Sequence, residues 1–316
     1  VLGVGPEAKR FHREYEAYGE KWRLEFVDPS GKFEGQQVDG FGSPVVMSNA
    51  EEMLAGIDES YAAVILATNT REFSDPLFNH LISLHCSRTP VLTIEAFREQ
   101  QWYRVSARAV KPESLFQSEF RPARGSAYSH LKRIGDVLLS ALALILLCPV
   151  LLLAALFIKL ESRGSVIFKQ TRVGRNGRPF QMYKLRSMRE NAGDMYTRPG
   201  DNRITRLGRL LRLTHLDELP QLWNVLRGEM SLIGPRAEWV KCVEIYEKEI
   251  PHYHLRHLVT PGITGWAQVK FKYGESKNDA IEKFEFDLYY IQNFSLQLDL
   301  CIVLKTLHTM ICGNGQ

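Results

Sequence analysis

A chain of 316 residues with 45% hydrophobic and 24% charged side chains is long enough for two domains with separate cores and too apolar for wholesale disorder. Its formal net charge of +4 conceals an asymmetry: residues 1–125 carry 14 basic and 18 acidic side chains, and the remainder 26 and 18, so the C-terminal part is built to face something anionic. Five scattered cysteines without C-x-x-C spacing indicate neither a disulfide framework nor a zinc site and fit a reducing cytoplasmic setting.

Val1 to Gly5 reads as a strand, followed by a helix to about Tyr18 and a second strand from Trp22 to Val27 that ends in Asp28. Because Val1 begins inside a strand, with no initiator Met and no signal peptide, the true N-terminus is expected upstream. Ser48 and Glu51 form a capping-box signature for a helix over Glu51 to Ile57, and Ala62–Ala67 and Pro90–Ile94 supply further strands. Alternating βα units imply a small parallel sheet, a Rossmann-like opening. Gly3-x-Gly5-x-x-Ala8 with Asp28 downstream resembles a dinucleotide fingerprint. Pro6 and Glu7 place a rigid residue and a negative charge at its phosphate end, which favours a structural or regulatory sheet.

Periodicity is lost from Tyr103 to Ser129, a Pro- and Gly-containing linker, so a boundary near 125 separates domains 1–125 and 126–316. An uncharged run from Val137 to Ile158 follows Lys132-Arg133 and ends at Lys159. It is long enough to span a bilayer. Pro149 lies at its middle, and 13 Lys/Arg against 3 acids follow between Arg163 and Leu213, so the positive-inside rule keeps both ends cytoplasmic. Each arm about the proline is roughly 17 Å of helix. A re-entrant hairpin over 134–160 satisfies both constraints, with an ordinary span as the alternative.

Phe168–Met188 reads as a hairpin around glycine turns, with Lys184 and Arg186 at strand spacing, a clamp for phosphates or simply solvated charge. Arg203, Arg206, Arg209 and Arg212, interleaved with leucines, describe a basic amphipathic helix suited to anionic membrane lipid rather than nucleic acid, given the apolar run beside it. Next, Asp217 can serve as N-cap of a helix whose first turn holds Glu218, Leu219 and Pro220 and which Gly228 closes. Adjacent carboxylates beside free N–H groups suit a nucleophile at an anion site, although a capped surface helix shows the same pattern. His252, His254 and His257 lack the H-E-x-x-H arrangement of a metal helix. Pro261, Gly262 and Gly265 fix a tight loop in which Trp266 offers a face to a base or a lipid. Two helices close the chain, Asn278–Phe294 and Leu296–Ile311, the first with Ile281, Phe284, Leu288 and Ile291 on one face.

From about Lys132 onward these blocks resemble the bacterial sugar transferase family, the monotopic polyprenyl-phosphate phosphoglycosyl transferases. The resemblance rests on the apolar run with Pro149, Lys184-Leu185-Arg186-Ser187-Met188, Leu216-Asp217-Glu218-Leu219-Pro220-Gln221-Leu222, Met230-Ser231-Leu232-Ile233-Gly234-Pro235-Arg236 and Pro261–Val269, in family order. It implies an α/β protein: a Rossmann-like domain, which longer members carry after several transmembrane helices, then a mainly α membrane-associated catalytic domain. It further implies transfer of a sugar 1-phosphate from a UDP-sugar to undecaprenyl phosphate with release of UMP, the initiating step of exopolysaccharide, capsule or O-antigen assembly. The setting would be the cytoplasmic face of the bacterial inner membrane, and a homodimer is admitted. Asp217 matches the family's nucleophile, which forms a phosphosugar-aspartyl intermediate, and Glu218 its partner; both would meet the required Mg2+. Lys184, Arg186, Arg212 and Arg236 match its phosphate-binding cations, and Gln221, Thr264, Trp266 and Gln268 fall in its substrate-binding blocks. Three positions depart from the pattern: Cys148 where serine is common, Ala237 where a second proline is usual, and His252 with His254 where Tyr or Arg is found. A membrane-attached regulator that has lost catalysis is the competing class, and the intact acid pair and cations count against it.

Overall fold

The computed structural model describes residues 1–19, 22–39, 43–47, 61–68, 73–87, 89–110, 127–189, 201, 203–271 and 277–312. They form a mixed helix-and-sheet protein that divides into two compact units, Val1–Tyr103 and Arg104–Gln316. The capping box at Ser48 and Glu51, with its helix, lies outside the described residues, as does 111–126 of the expected linker. Residues 104–110 are not linker: Val105 N donates to Glu285 O at 3.1 Å, and Ala107 and Val110 are buried in the core of the second unit.

In the first unit, helix α1 (Pro6–Tyr18) starts with Pro6 in its first turn, where a missing N–H is harmless, and stops at Gly19, whose φ of 64° a side chain would resist. Strands β1 (Phe26–Val27), β2 (Val46–Met47), β3 (Val64–Leu66) and β4 (Val91–Thr93) pair in parallel, β1 with β2 and β3 with β4. Leu2 bridges to Val27 on one side and Leu66 on the other, joining the pairs. The strand expected over Val1–Gly5 is thus reduced to one bridging residue, because Gly3 turns to φ +109° against Thr68. Helices α2 (Asp75–Cys86) and α3 (Ile94–Phe97) are also among the described residues of this unit. Asp28 is spent locally: its carboxylate accepts from Ser30 N and Phe33 N, both at 3.0 Å.

The first helix described in the second unit is α4 (Ala127–Glu161), 35 residues that run as helix through Pro149, the one helix among the described residues long and apolar enough to cross a membrane. Most of its surface is apolar and exposed, including Leu138, Leu142, Ile145, Leu146, Leu152 and Leu160. An antiparallel hairpin follows, β5 (Ile167–Val173) with β6 (Pro179–Leu185), Lys184 opposite Phe168. Helix α5 (Arg206–Leu213) is capped by Thr205, whose hydroxyl accepts from Gly208 N. Arg203 falls outside it and pairs with Asp201, so the basic helix is one turn shorter than its arginine spacing suggests. Then come α6 (Gln221–Arg227), β7 (Ser231–Ile233), α7 (Val240–Glu249), β8 (Gly262–Thr264), α8 (Trp266–Lys270), α9 (Lys277–Gln292) and α10 (Leu296–Ile311). β7 and β8 run parallel. Phe284, Leu288 and Ile291 of α9 and Ile302 of α10 are fully buried and centre the core, as the 3.6-residue spacing requires.

Candidate active site

The acid pair sits on a single 3-10 turn, Leu216–Glu218, not at the cap of an α-helix. His215 precedes it with φ 54°, ψ 15°, a left-handed conformation that costs a non-glycine residue about 1 kcal/mol and reverses the chain as it leaves α5. Pro220 occupies the N-cap position of α6, so the helix begins at Gln221 rather than just after Asp217. The expected C-terminus holds: Gly228 takes φ 80° and returns its N–H to Val225 O.

This turn packs against the end of β6. Lys184 Nζ donates to Glu218 Oε1 at 2.5 Å, and Arg236 NH2 reaches the same oxygen at 3.3 Å. Burial acts to raise the Glu218 carboxyl, but Arg236 and then Lys184 outweigh it and hold the group well below the usual carboxylate range. Asp217, 7% exposed, makes no hydrogen bond or ion pair among the described residues. Burial pushes its pKa up, opposed by Lys184 and reinforced by Glu218. The neighbours thus differ in kind: one carboxylate is locked in a charge clamp, and the other is free.

Arg236 is placed by close backbone packing. A Cβ on Gly262 would lie 2.1 Å from Gly234 N, and one on Gly265 2.1 Å from Gly234 O. Gly234 N donates to Thr264 O and Gly262 N to Pro235 O, both at 2.9 Å. Below it, Arg256 donates to Asp287 Oδ2 at 2.7 Å and to Arg236 O at 3.1 Å, and lies 3.5 Å from Glu238. The buried charges at 256 and 287 and the partly buried one at 238 are invisible to pattern reading, because isolated charged residues carry no spacing signal.

Other expected residues divide. Arg212 Nε donates to Ser187 Oγ at 2.9 Å, and its charge favours ionised Asp217. Gln221 is buried one turn beyond Asp217, its Nε2 lacking a partner among the described residues. Arg186 turns away: it donates to Arg163 O at 2.8 Å and to Ser162 O at 2.7 Å, satisfying carbonyls at the end of α4. Trp266 is 3% exposed and stacked on Tyr289, so it offers no face to a base or a lipid. Thr264 bonds Thr306, and Gln268 bonds Ile263 O at 3.1 Å; both brace the β8 loop. Lys132 and Arg133, expected as membrane flanks, are also bound to protein: Lys132 to Asp299 at 2.7 Å, Arg133 to Val225 O at 2.6 Å.

The donor set suits a magnesium ion. Both cations on Glu218 use Oε1, and Asp217 is unengaged, leaving hard carboxylate oxygens on adjacent residues; Mg2+ is commonly held by one or two such groups with water and substrate phosphates.

Residues 127–313 match the model of a family described as bacterial sugar transferase. The chain is 48% identical over 191 residues to the UDP-N-acetylgalactosamine-undecaprenyl-phosphate N-acetylgalactosaminephosphotransferase of Aeromonas hydrophila, over 60% of this chain and 45% of that protein. It is 47% identical over 189 residues to the UDP-glucose:undecaprenyl-phosphate glucose-1-phosphate transferase of Caulobacter vibrioides, over 58% of this chain and 71% of that protein. It is 45% identical over 185 residues to the exopolysaccharide production protein PSS of Rhizobium leguminosarum bv. phaseoli, over 56% and 92%. The chain therefore spans less than half the length of the Aeromonas relative. With the matched stretch covering α4, the acid pair and its cations and more than half of the chain, this protein belongs to the bacterial sugar transferase family.

Proposed function

We propose that this protein transfers a sugar 1-phosphate from a UDP-sugar to undecaprenyl phosphate, releasing UMP and starting the assembly of a surface polysaccharide. The observation that carries the reading is the split between Asp217, buried and without a partner among the described residues, and Glu218, held by Lys184 and Arg236. An Asp217 oxygen attacks the β-phosphorus, the bond from that phosphorus to the bridging oxygen breaks, and UMP leaves with the bond's electron pair. A phosphate oxygen of the lipid then attacks the same phosphorus, freeing Asp217 and giving an undecaprenyl diphosphosugar. Lys184, Arg236 and Arg212 offset the charge of the diphosphate, and the unpartnered Gln221 amide is a donor available to substrate. Mg2+, when bound by Asp217 and Glu218, supplies further neutralisation of the phosphates.

Membrane attachment on the cytoplasmic face fits the same reading. Besides the exposed apolar surface of α4, Leu296, Leu300, Leu304 and Leu307 of α10 and Leu210 and Leu213 of the arginine-rich α5 are exposed. A re-entrant course for α4 would bring a soluble nucleotide sugar and a lipid phosphate to one site. For the first unit, the parallel order β2, β1, Leu2, β3, β4 supports a Rossmann-like sheet with a structural or regulatory role.

The two relatives named for their sugars differ, N-acetylgalactosamine and glucose, at nearly equal identity, so the sugar must be found by assay. Full-length chain in lipid nanodiscs with Mg2+, undecaprenyl phosphate and a panel of UDP-sugars should release UMP with at least one donor. No release from any donor, or equal release by Asp217→Asn, overturns the reading.

A further inference from the structure

Strand β6 is hydrogen-bonded to β5 along one edge, and its other edge faces α6. Gln181 and Tyr183 direct their main-chain groups toward that outer edge, where unpaired backbone would be costly. Asn224, completely buried on α6, meets them: its Nδ2 donates to Gln181 O at 2.7 Å and its Oδ1 accepts from Tyr183 N at 3.2 Å. A carbonyl can only accept and a main-chain N–H only donate, so this pairing fixes the orientation of the amide. The second hydrogen of Nδ2 goes to Glu229 Oε2 at 2.7 Å. One side chain thus makes the two bonds that a residue of a neighbouring strand would make. It does so beside Lys184, from the helix that follows the Asp217-Glu218 turn.

We propose that Asn224 is the positioning residue of this site: its amide replaces a third strand at Gln181 and Tyr183 and so sets Lys184 against Glu218. Lys184 stands on β6 and Glu218 on the turn before α6, and Asn224 is the direct polar tie between strand and helix at their level. A shift of β6 by a fraction of its repeat would separate Nζ from Oε1. The geometric claim is independent of the transferase reading; the catalytic consequence rests on it.

Two variants of the full-length chain in nanodiscs test this. Asn224→Asp is isosteric but presents an oxygen to Gln181 O and to Glu229, and Asn224→Ser is too short for both strand bonds. Competitive acetylation read by mass spectrometry reports the reactivity of the Lys184 amine, with Lys241 and Lys248 as controls. Expected is a rise of about tenfold at Lys184 alone, as the pairing with Glu218 loosens. No rise at Lys184 in either variant, or a rise shared equally by the controls, overturns the positioning role. In the UMP assay, Asn224→Asp should lower kcat by about 100-fold, the scale of a small misplacement of a reacting group. That loss should largely vanish in a Lys184→Ala background, and full additivity of the two substitutions overturns the coupling. If wild type releases no UMP, the transferase reading fails, while the acetylation result still decides the role of Asn224.

Discussion

Lys184 Nζ and Glu218 Oε1 lie 2.5 Å apart, joining the end of a strand to a 3-10 turn, while the adjacent Asp217 has no partner among the described residues. A buried, unpaired carboxylate binds its proton more tightly in the folded protein than in the unfolded chain. The direction of its pKa shift, upward through burial, sets the sign of two effects. Above the unfolded value the ionised group costs stability, and the cost is relieved as pH falls through the folded value. Asp217→Asn should therefore raise the melting temperature at neutral pH while lowering UMP release by roughly four orders of magnitude or more, the usual scale for loss of a nucleophile. Differential scanning fluorimetry beside the UMP assay checks both; a lower melting temperature contradicts the burial argument.

In the proposed mechanism Asp217 attacks in its ionised form, so the acid limb of the pH profile should be its titration. It should fall above the ordinary aspartate value of about 3.9. Glu218 contributes to the upward shift of Asp217, whereas Lys184 opposes it. Glu218→Gln removes the first influence and leaves Lys184 and Arg236 unneutralised beside Asp217, so the limb should move to lower pH, with kcat down about 10- to 100-fold. An acid limb that disappeared in Glu218→Gln would instead make Glu218 the titrating base.

Arg256 is 5% exposed and donates to Asp287 and to the carbonyl of Arg236. Arg256→Met strands Asp287 as a buried charge and should cost about 3–5 kcal/mol, whereas Arg256→Met with Asp287→Leu should recover part of that loss. Arg236 is carried by the same contact, so the single variant should also lose activity at temperatures where it remains folded. Chemical denaturation of the two variants gives the comparison.

What the chain revealed in advance follows from which forces leave a periodic trace. The apolar face of α9, with Phe284, Leu288 and Ile291, was legible because burial repeats with the helix. The Gly228 terminus was legible because only a left-handed residue closes a helix there. The acid pair stood out as a candidate site and was misplaced as structure: His215 takes the left-handed turn and Pro220 the cap, so Asp217 falls between two helices. Arg186 and Trp266 read as substrate groups because an isolated charge or aromatic does not tell which way it points. The structure turns Arg186 to the carbonyls ending α4 and Trp266 into the core. Asn224 and Arg256 gave no signal, since each acts through partners distant in sequence.

Gly208 admits no side chain: a Cβ there would lie 2.0 Å from Ser187 O and 2.7 Å from its carbonyl carbon. Both are backbone atoms, so α5 as a whole must move to make room. Gly208→Ala should destabilise by about 3 kcal/mol. It should also weaken the bond from Arg212 Nε to Ser187 Oγ, a cation whose charge favours ionised Asp217. Thermal unfolding of the variant measures the first effect and the pH profile the second, with the acid limb moving to higher pH as Arg212 recedes.

The course of α4 can be argued from its two ends. Before the apolar run, Lys132 pairs with Asp299, Arg133 bonds Val225 O, and Asp136 accepts from Ser231 Oγ at 2.7 Å. After it, Arg186 holds Ser162 O, and Ile158 is buried with Leu211 and Leu185. A straight helix over the uncharged stretch is roughly 33 Å long, enough to put its ends on opposite faces of a bilayer. Yet both ends bind one folded unit, whose charged residues cannot lie on both faces. The proposed re-entrant course would turn at Pro149, which has no N–H to give to Ile145 O and whose ring crowds that carbonyl. Single cysteines replacing the exposed His130 and Ser165, in a background with exposed Cys86, Cys148 and Cys312 changed to serine, should react with an impermeant maleimide from the same side of sealed vesicles. Labelling from opposite sides replaces the hairpin with a span. Pro149→Ala removes a penalty of about 3 kcal/mol against a straight helix, so in that variant a fraction of molecules should acquire opposite-side labelling and lose UMP release in proportion.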